Sequence, residues 1–107
     1  MPIYNLEQVK KTAQEGCIEY RGRKVQTDID NLNYSHSDVK QCILQLGDNN
    51  FSKTITHKND PYPDDVYHFN YIRLDEDGDE RPPDHLYIKF RLIDDYRELD
   101  LGSFHLS

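Results

Sequence analysis

The sequence predicts an α+β fold: N-terminal helices packed on a curved, mainly antiparallel sheet. Three observations predict it. Apolar residues recur at helical spacing before residue 47, each time behind a capping signal. After residue 51 the chain reads as strands separated by turns, with no helix between them, and such strands pair mainly antiparallel. Between His85 and Leu92 the alternation is strict, with Leu86, Ile88, Phe90 and Leu92 on one side and His85, Tyr87, Lys89 and Arg91 on the other. One side of that strand belongs on a core. The other lines up an imidazole, a phenol, an ammonium and a guanidinium, groups that bind phosphate and move protons, or that simply face water.

Taken in order, Asn5 caps a first helix with Gln8 as its reciprocal partner and Tyr4 and Val9 as a hydrophobic staple. Leu6, Val9 and Ala13 form its apolar stripe, and Gly16 ends it. Cys17 to Tyr20 is a short strand. Arg21-Gly22-Arg23-Lys24 is a basic turn, which can hold a phosphate or stand as a plain solvated turn. Thr27 to Leu32 is a short helical segment. Ser35 and Asp38 start the clearest helix, with Tyr34 and Val39 as staple. Its stripe of Val39, Cys42, Ile43 and Leu46 follows the i, i+3, i+4, i+7 pattern, and Gly47 ends it. Cys42 on that stripe reads as core.

Phe51 to His57 is a strand in which Lys53 shares parity with Phe51, so Lys53 sits at the strand's edge or start. Residues 58–64 read as a loop by their Pro and Asp content, and 65–73 as the next strand. Residues 74–84 form a flexible acidic loop. The 85–92 strand follows, then a turn at Asp94-Asp95. In the last strand Leu99 and Leu101 change parity against Phe104 and Leu106, which predicts a bulge near Gly102. The sheet should hold roughly four to six strands in one domain, residues 1–107.

Charged residues are 31% and hydrophobic residues 36% of the 107, as in a soluble globular chain. No apolar run is long enough to span a membrane, and the first residues lack the pattern of a signal peptide. The expected location is the cytoplasm, where two lone cysteines stay reduced. Net charge is −7, divided as +1 over residues 1–58 and −8 over residues 59–107. An acidic chain binds RNA only through a local basic face. No phosphate-binding glycine loop, serine elbow or catalytic-cysteine signature is present. The cysteines and histidines lack metal-ligand spacing. The acidic loop lacks the glycine and glutamate that a calcium loop needs, so no metal or cofactor is expected.

What remains for chemistry is Lys53, His57, Asp64, His68, Tyr87, Lys89, Arg91 and His105. Metal-free RNA cleavage needs such groups: a base for the 2′-OH, a cation for the phosphorane and an acid for the leaving 5′-oxygen.

At these residues the chain resembles the MqsR-type toxins of bacterial type II toxin–antitoxin systems. The matching stretches are Leu6 to Lys11 with Gly16 after it, Cys42 to Leu46, Phe51 to Thr56, Asp65-Val66-Tyr67, Leu86 to Phe90 and Ser103-Phe104. They occur in the family's order and at nearly its spacing. The resemblance implies a RelE-like fold, a ribosome-independent endoribonuclease cutting mRNA, and a cognate antitoxin as partner. It puts the catalytic lysine on Lys53 and the catalytic tyrosine on Tyr87. The family's third residue is a glutamine; that position is Asp64 here. The family's arginine after Asp-Val-Tyr is His68, and its lysine after Ser-Phe is His105. The expected catalytic set is Lys53, Asp64, His68 and Tyr87, with His57, Tyr67, Lys89, Arg91 and His105 as substrate contacts. A non-catalytic protein-binding member of the fold and an acidic interaction protein are the alternative readings.

Overall fold

A computed structural model describes residues 1–74 and 76–107. Among them are three α-helices and a five-stranded sheet that does not close on itself. Helix α1 (Leu6–Gln14) starts where the Asn5 side chain accepts the Gln8 backbone N–H at 3.2 Å. Tyr4, Val9 and Ala13 are buried, and Gly16 leaves the helix with φ of +80°. Helix α3 (His36–Leu44) carries the full capping box between Ser35 and Asp38. Val39, Cys42, Ile43 and Leu46 are all fully buried. Burial pushes the Cys42 thiol well above its usual range, so it stays protonated core.

Helix α2 corrects the expectation. It runs Gly22–Asn31, so it begins inside the expected basic turn and five residues before Thr27. No side chain caps it, and Gly22 enters it at φ of +83°, so the usual start signal is missing. Val25 and Ile29 are its buried residues.

The strands are β1 (Ile18–Tyr20), β2 (Phe51–His57), β3 (Asp60–Tyr71), β4 (Asp84–Ile93) and β5 (Glu98–Leu106), in the order β1-β5-β4-β3-β2. β1 lies parallel to β5; the other pairs are antiparallel. Strand β3 starts at Asp60, earlier than its prolines suggest. Pro61 and Pro63 both precede Asp65, where the pairing with β4 begins, so their missing N–H groups cost that ladder nothing. The bulge at Gly102 is present: Lys89 pairs with Ser103, and Phe90 with Leu101. A second irregularity falls between Phe51 and Lys53, which pair with Tyr67 and Val66. It turns Phe51 to the core while Lys53 joins the other face.

The helices cover one face of the sheet. Val9, Val25, Ile29 and Ile43 share a core with Tyr67, Ile88, Phe90, Leu99, Leu101 and Phe104. Asp65 anchors the N-terminal segment, accepting from Ile3 N (3.1 Å), Tyr4 N (2.9 Å) and Thr54 Oγ1 (2.6 Å). The acidic loop is drawn together by a Leu74–Glu80 bridge and by Arg81 N donating to Arg73 O at 2.9 Å. Asp75, which opens that loop, lies outside the described residues. Among the described residues no helix is long and apolar enough to cross a membrane.

Candidate nucleic-acid interface

The uncovered face of the sheet gathers nearly every residue singled out for chemistry. Cross-strand pairs place them in rows. The first row is His68, Tyr87 and His105 on β3, β4 and β5. The Tyr87 and His105 rings stack with centroids 5.0 Å apart and planes at 9°. The His68 ring meets Tyr87 edge-on at 5.6 Å. His105 Nδ1 lies 2.9 Å from the Leu106 carbonyl, an oxygen that only accepts. Nδ1 is thus the donor of that contact. Among the described residues, the Tyr87 hydroxyl and the His68 ring make no hydrogen bond.

The second row is Lys53, Val66, Lys89 and Ser103. Lys53 is exposed and Lys89 half-buried. Among the described residues neither ammonium is in an ion pair. Two strand spacings set the two lysine backbones roughly 10 Å apart, and Tyr87 is about 7 Å along β4 from Lys89.

Below that row the charges are locked together. Arg21 reaches across the sheet from the end of β1. Its Nη2 and Nη1 donate to Asp64 at 2.7 and 3.1 Å, and its Nε donates to Asp100 at 3.0 Å. Arg91 donates to the same Asp100 oxygen at 2.8 Å and to Asp60 at 2.6 Å. His57 Nε2 lies 2.7 Å from Asp64. Gly102 makes room for this strap, since a Cβ there would stand 2.6 Å from Arg21 Nη1.

Asp64 is fully buried with both oxygens engaged. Burial alone raises its pKa, but the hydrogen bonds from Arg21 and His57 outweigh that and hold the carboxyl below its ordinary value. A carboxylate so held is a weak base. His57 and Arg91 belong to the same network, so both are on the face but already partnered.

Tyr67 is elsewhere, which corrects its expected role as a substrate contact. It has the opposite parity from Val66 and His68, so it points into the core, fully buried, with its ring stacked on Phe90 at 5.4 Å. Its hydroxyl has no partner among the described residues, and burial pushes its pKa up to about 12.

Arg21 is the residue that sequence reasoning left out of the site. Its carboxylate partners lie 43 and 79 residues away, so no local pattern announces them. The one nearby signal is the cationic turn around Gly22. Among the described residues no three His, Cys, Asp or Glu side chains converge as metal ligands.

No individual curated protein matches the chain. A family model described as "Motility quorum-sensing regulator, toxin of MqsA" matches residues 1–105. That match covers every residue of the rows described above and all of the fold's elements except the last residue of β5. The chain belongs to the MqsR family, toxins of toxin–antitoxin systems.

Proposed function

We propose that this toxin is an endoribonuclease, an mRNA interferase that cleaves RNA through its own 2′-OH. The observation that carries the reading is the pairing of two rows on one face: lysines outside any ion pair among the described residues beside an imidazole–phenol–imidazole row. His68 takes the proton from the 2′-OH, and the 2′-oxygen attacks phosphorus. Lys53 stabilises the charge on the phosphorane, and Lys89 holds the adjoining backbone. As the P–O5′ bond breaks, Tyr87 returns a proton to the leaving oxygen. The products are a 2′,3′-cyclic phosphate and a 5′-hydroxyl. His105 fixes the Tyr87 ring by stacking on it. Asp64 acts through others, orienting Arg21 and His57 at the margin of the face.

These side chains supply every group that internal attack requires, so the reaction proceeds without a metal or cofactor. RNA as substrate places the toxin's action in the cytoplasm. The partner is an antitoxin of the kind the family description names.

Purified protein incubated with end-labelled RNA in EDTA should yield 2′,3′-cyclic phosphate or 3′-phosphate ends. Cleavage lost in EDTA and restored by a divalent metal would overturn the scheme. Tyr87→Phe keeps the stacked ring and removes only the hydroxyl. Cleavage should slow about a hundredfold with folding and RNA affinity retained. An unchanged rate would reduce Tyr87 to a binding residue.

A further inference from the structure

Past Arg91, at the end of β4, the sheet borders a hollow of about 270 Å³. Tyr62 and the turn from Ile93 to Tyr96 line it, together with Ile3, Pro63 and the core residues Tyr4 and Leu92. Large aromatic rings are rarely left in water, yet Tyr62 is 49% exposed and Tyr96 57%. Both are also held in place. The Tyr62 backbone N–H donates to Asp60 at 2.9 Å, and the Arg91 guanidinium sits 5.6 Å from its ring centroid. Asp60 and Asp100 in turn fix Arg91. Tyr96 ends a run of three non-glycine residues in the left-handed region, with φ of 53°, 55° and 66° at Asp94, Asp95 and Tyr96. That conformation is unfavourable for side-chain-bearing residues and persists where the surroundings impose it. Here Thr12 Oγ1 donates to the Tyr96 carbonyl at 2.9 Å, and Arg97 N to Asp94 O at 3.1 Å.

We propose that this hollow is a nucleobase site for the RNA, a few nucleotides from the scissile phosphate; the inference rests on the RNA-cleaving reading above. Exposed tyrosines are stacking platforms for unpaired bases. The rim chemistry selects the base over its phosphate. Carboxylates of Asp94 and Asp95 repel phosphate and accept N–H donors, so a base with an exocyclic amino group fits. The cations that suit phosphate and are in no ion pair among the described residues, Lys53 and Lys89, lie in the row between the Arg91 network and the Tyr87 row, nearer the chemistry than the hollow is. Along β4, Tyr87 and Arg91 are four residues apart, roughly 13 Å, so one strand of RNA can run from the chemistry to the hollow.

The test is abasic scanning of a non-cleavable 2′-O-methyl oligonucleotide carrying all four bases. For the parent protein, one abasic position displaced from the cleavage point should weaken binding about tenfold. Tyr62→Ala should weaken binding of the intact oligonucleotide by a similar factor and be indifferent to that abasic position. Tyr62→Phe keeps the platform and should bind as the parent does. Unchanged affinity for Tyr62→Ala, or a loss that is the same whichever nucleotide is abasic, overturns the base site. Cleavage of the all-ribose sequence with no Tyr62 effect overturns the base site alone. The expected binding pattern without cleavage overturns the nuclease reading and leaves the base site standing. Absence of RNA binding overturns both.

Discussion

On the uncovered face, the row Lys53–Val66–Lys89 divides two regions of different character. On one side, Arg21 and Arg91 are shared among Asp60, Asp64 and Asp100, and His57 completes the set. On the other, the His68–Tyr87–His105 row adjoins two ammonium groups with no ion-pair partner among the described residues. Both regions are rich in ionisable groups, yet they use them differently. Charges spent on one another fix strand positions and leave little field for a ligand. Charges left over create the local basic patch that an acidic chain needs to meet RNA. A count of cations would have rated the paired region the better phosphate site, because guanidinium is the stronger phosphate ligand.

Substitutions on each side should separate the two roles. Lys53→Ala should have the largest effect, slowing cleavage by up to about a thousandfold, as when one transition-state donor is removed. Because Lys53 is exposed, its denaturant midpoint should stay at the parent value. Equal cleavage at equal protein concentration would take Lys53 out of the mechanism. Arg21→Ala should show the opposite balance. It leaves the fully buried Asp64 without its bidentate partner and should cost about 3 kcal/mol in a urea unfolding experiment. That is the lower end for such a break, since Arg21 is itself 30% exposed. A stability within experimental error of the parent would mean that water replaces the guanidinium at no cost. The smallest effect is the response to acid. The Asp64 carboxyl lies below its ordinary value, with burial opposing and Arg21 and His57 prevailing. Asp60 is lowered too, by the Tyr62 backbone N–H and by Arg91. Such groups stabilise the fold above the unfolded carboxyl pKa of about 3.9 and lose that contribution as pH falls through the folded value. Their share of the urea midpoint should therefore be level from neutral pH to about 5 and drop below about 4. Asp64→Asn should flatten part of that acid limb; an identical limb in the variant would assign it to other carboxylates.

Local signals in the sequence carried much of this arrangement. The caps at Asn5 and Ser35 located α1 and α3, because a helix start is decided by residues within one turn. The alternation from His85 to Leu92 gave β4 its two faces and put Tyr87, Lys89 and Arg91 together. The parity change around Gly102 marked the bulge. What local pattern could not supply was any feature created by another element. Helix α2 begins at Gly22 with no capping side chain, and β3 passes through two prolines because β4 does not pair with it there. Tyr67, expected among the substrate contacts, has a parity opposite to that of His68 and lies fully buried in the core. Asp64 looked like a free carboxylate, since the Arg21 that occupies it comes from 43 residues upstream.

The parallel pairing of β1 with β5 also has a consequence for biosynthesis. Arg21 and Asp100 are separated by 79 residues. At translation rates of about 5–20 residues per second, that separation amounts to roughly 4–16 s. Through that interval β1 has no partner strand, Arg21 can meet at most Asp64 once β3 has been made, and Tyr87, when it is made, still lacks the His105 ring it stacks on. Contacts of such long range also form late in folding. The surface assigned here to RNA cleavage is therefore assembled only once β5 has left the ribosome. During those seconds the nascent toxin travels beside the machinery that reads mRNA without the face that would attack it.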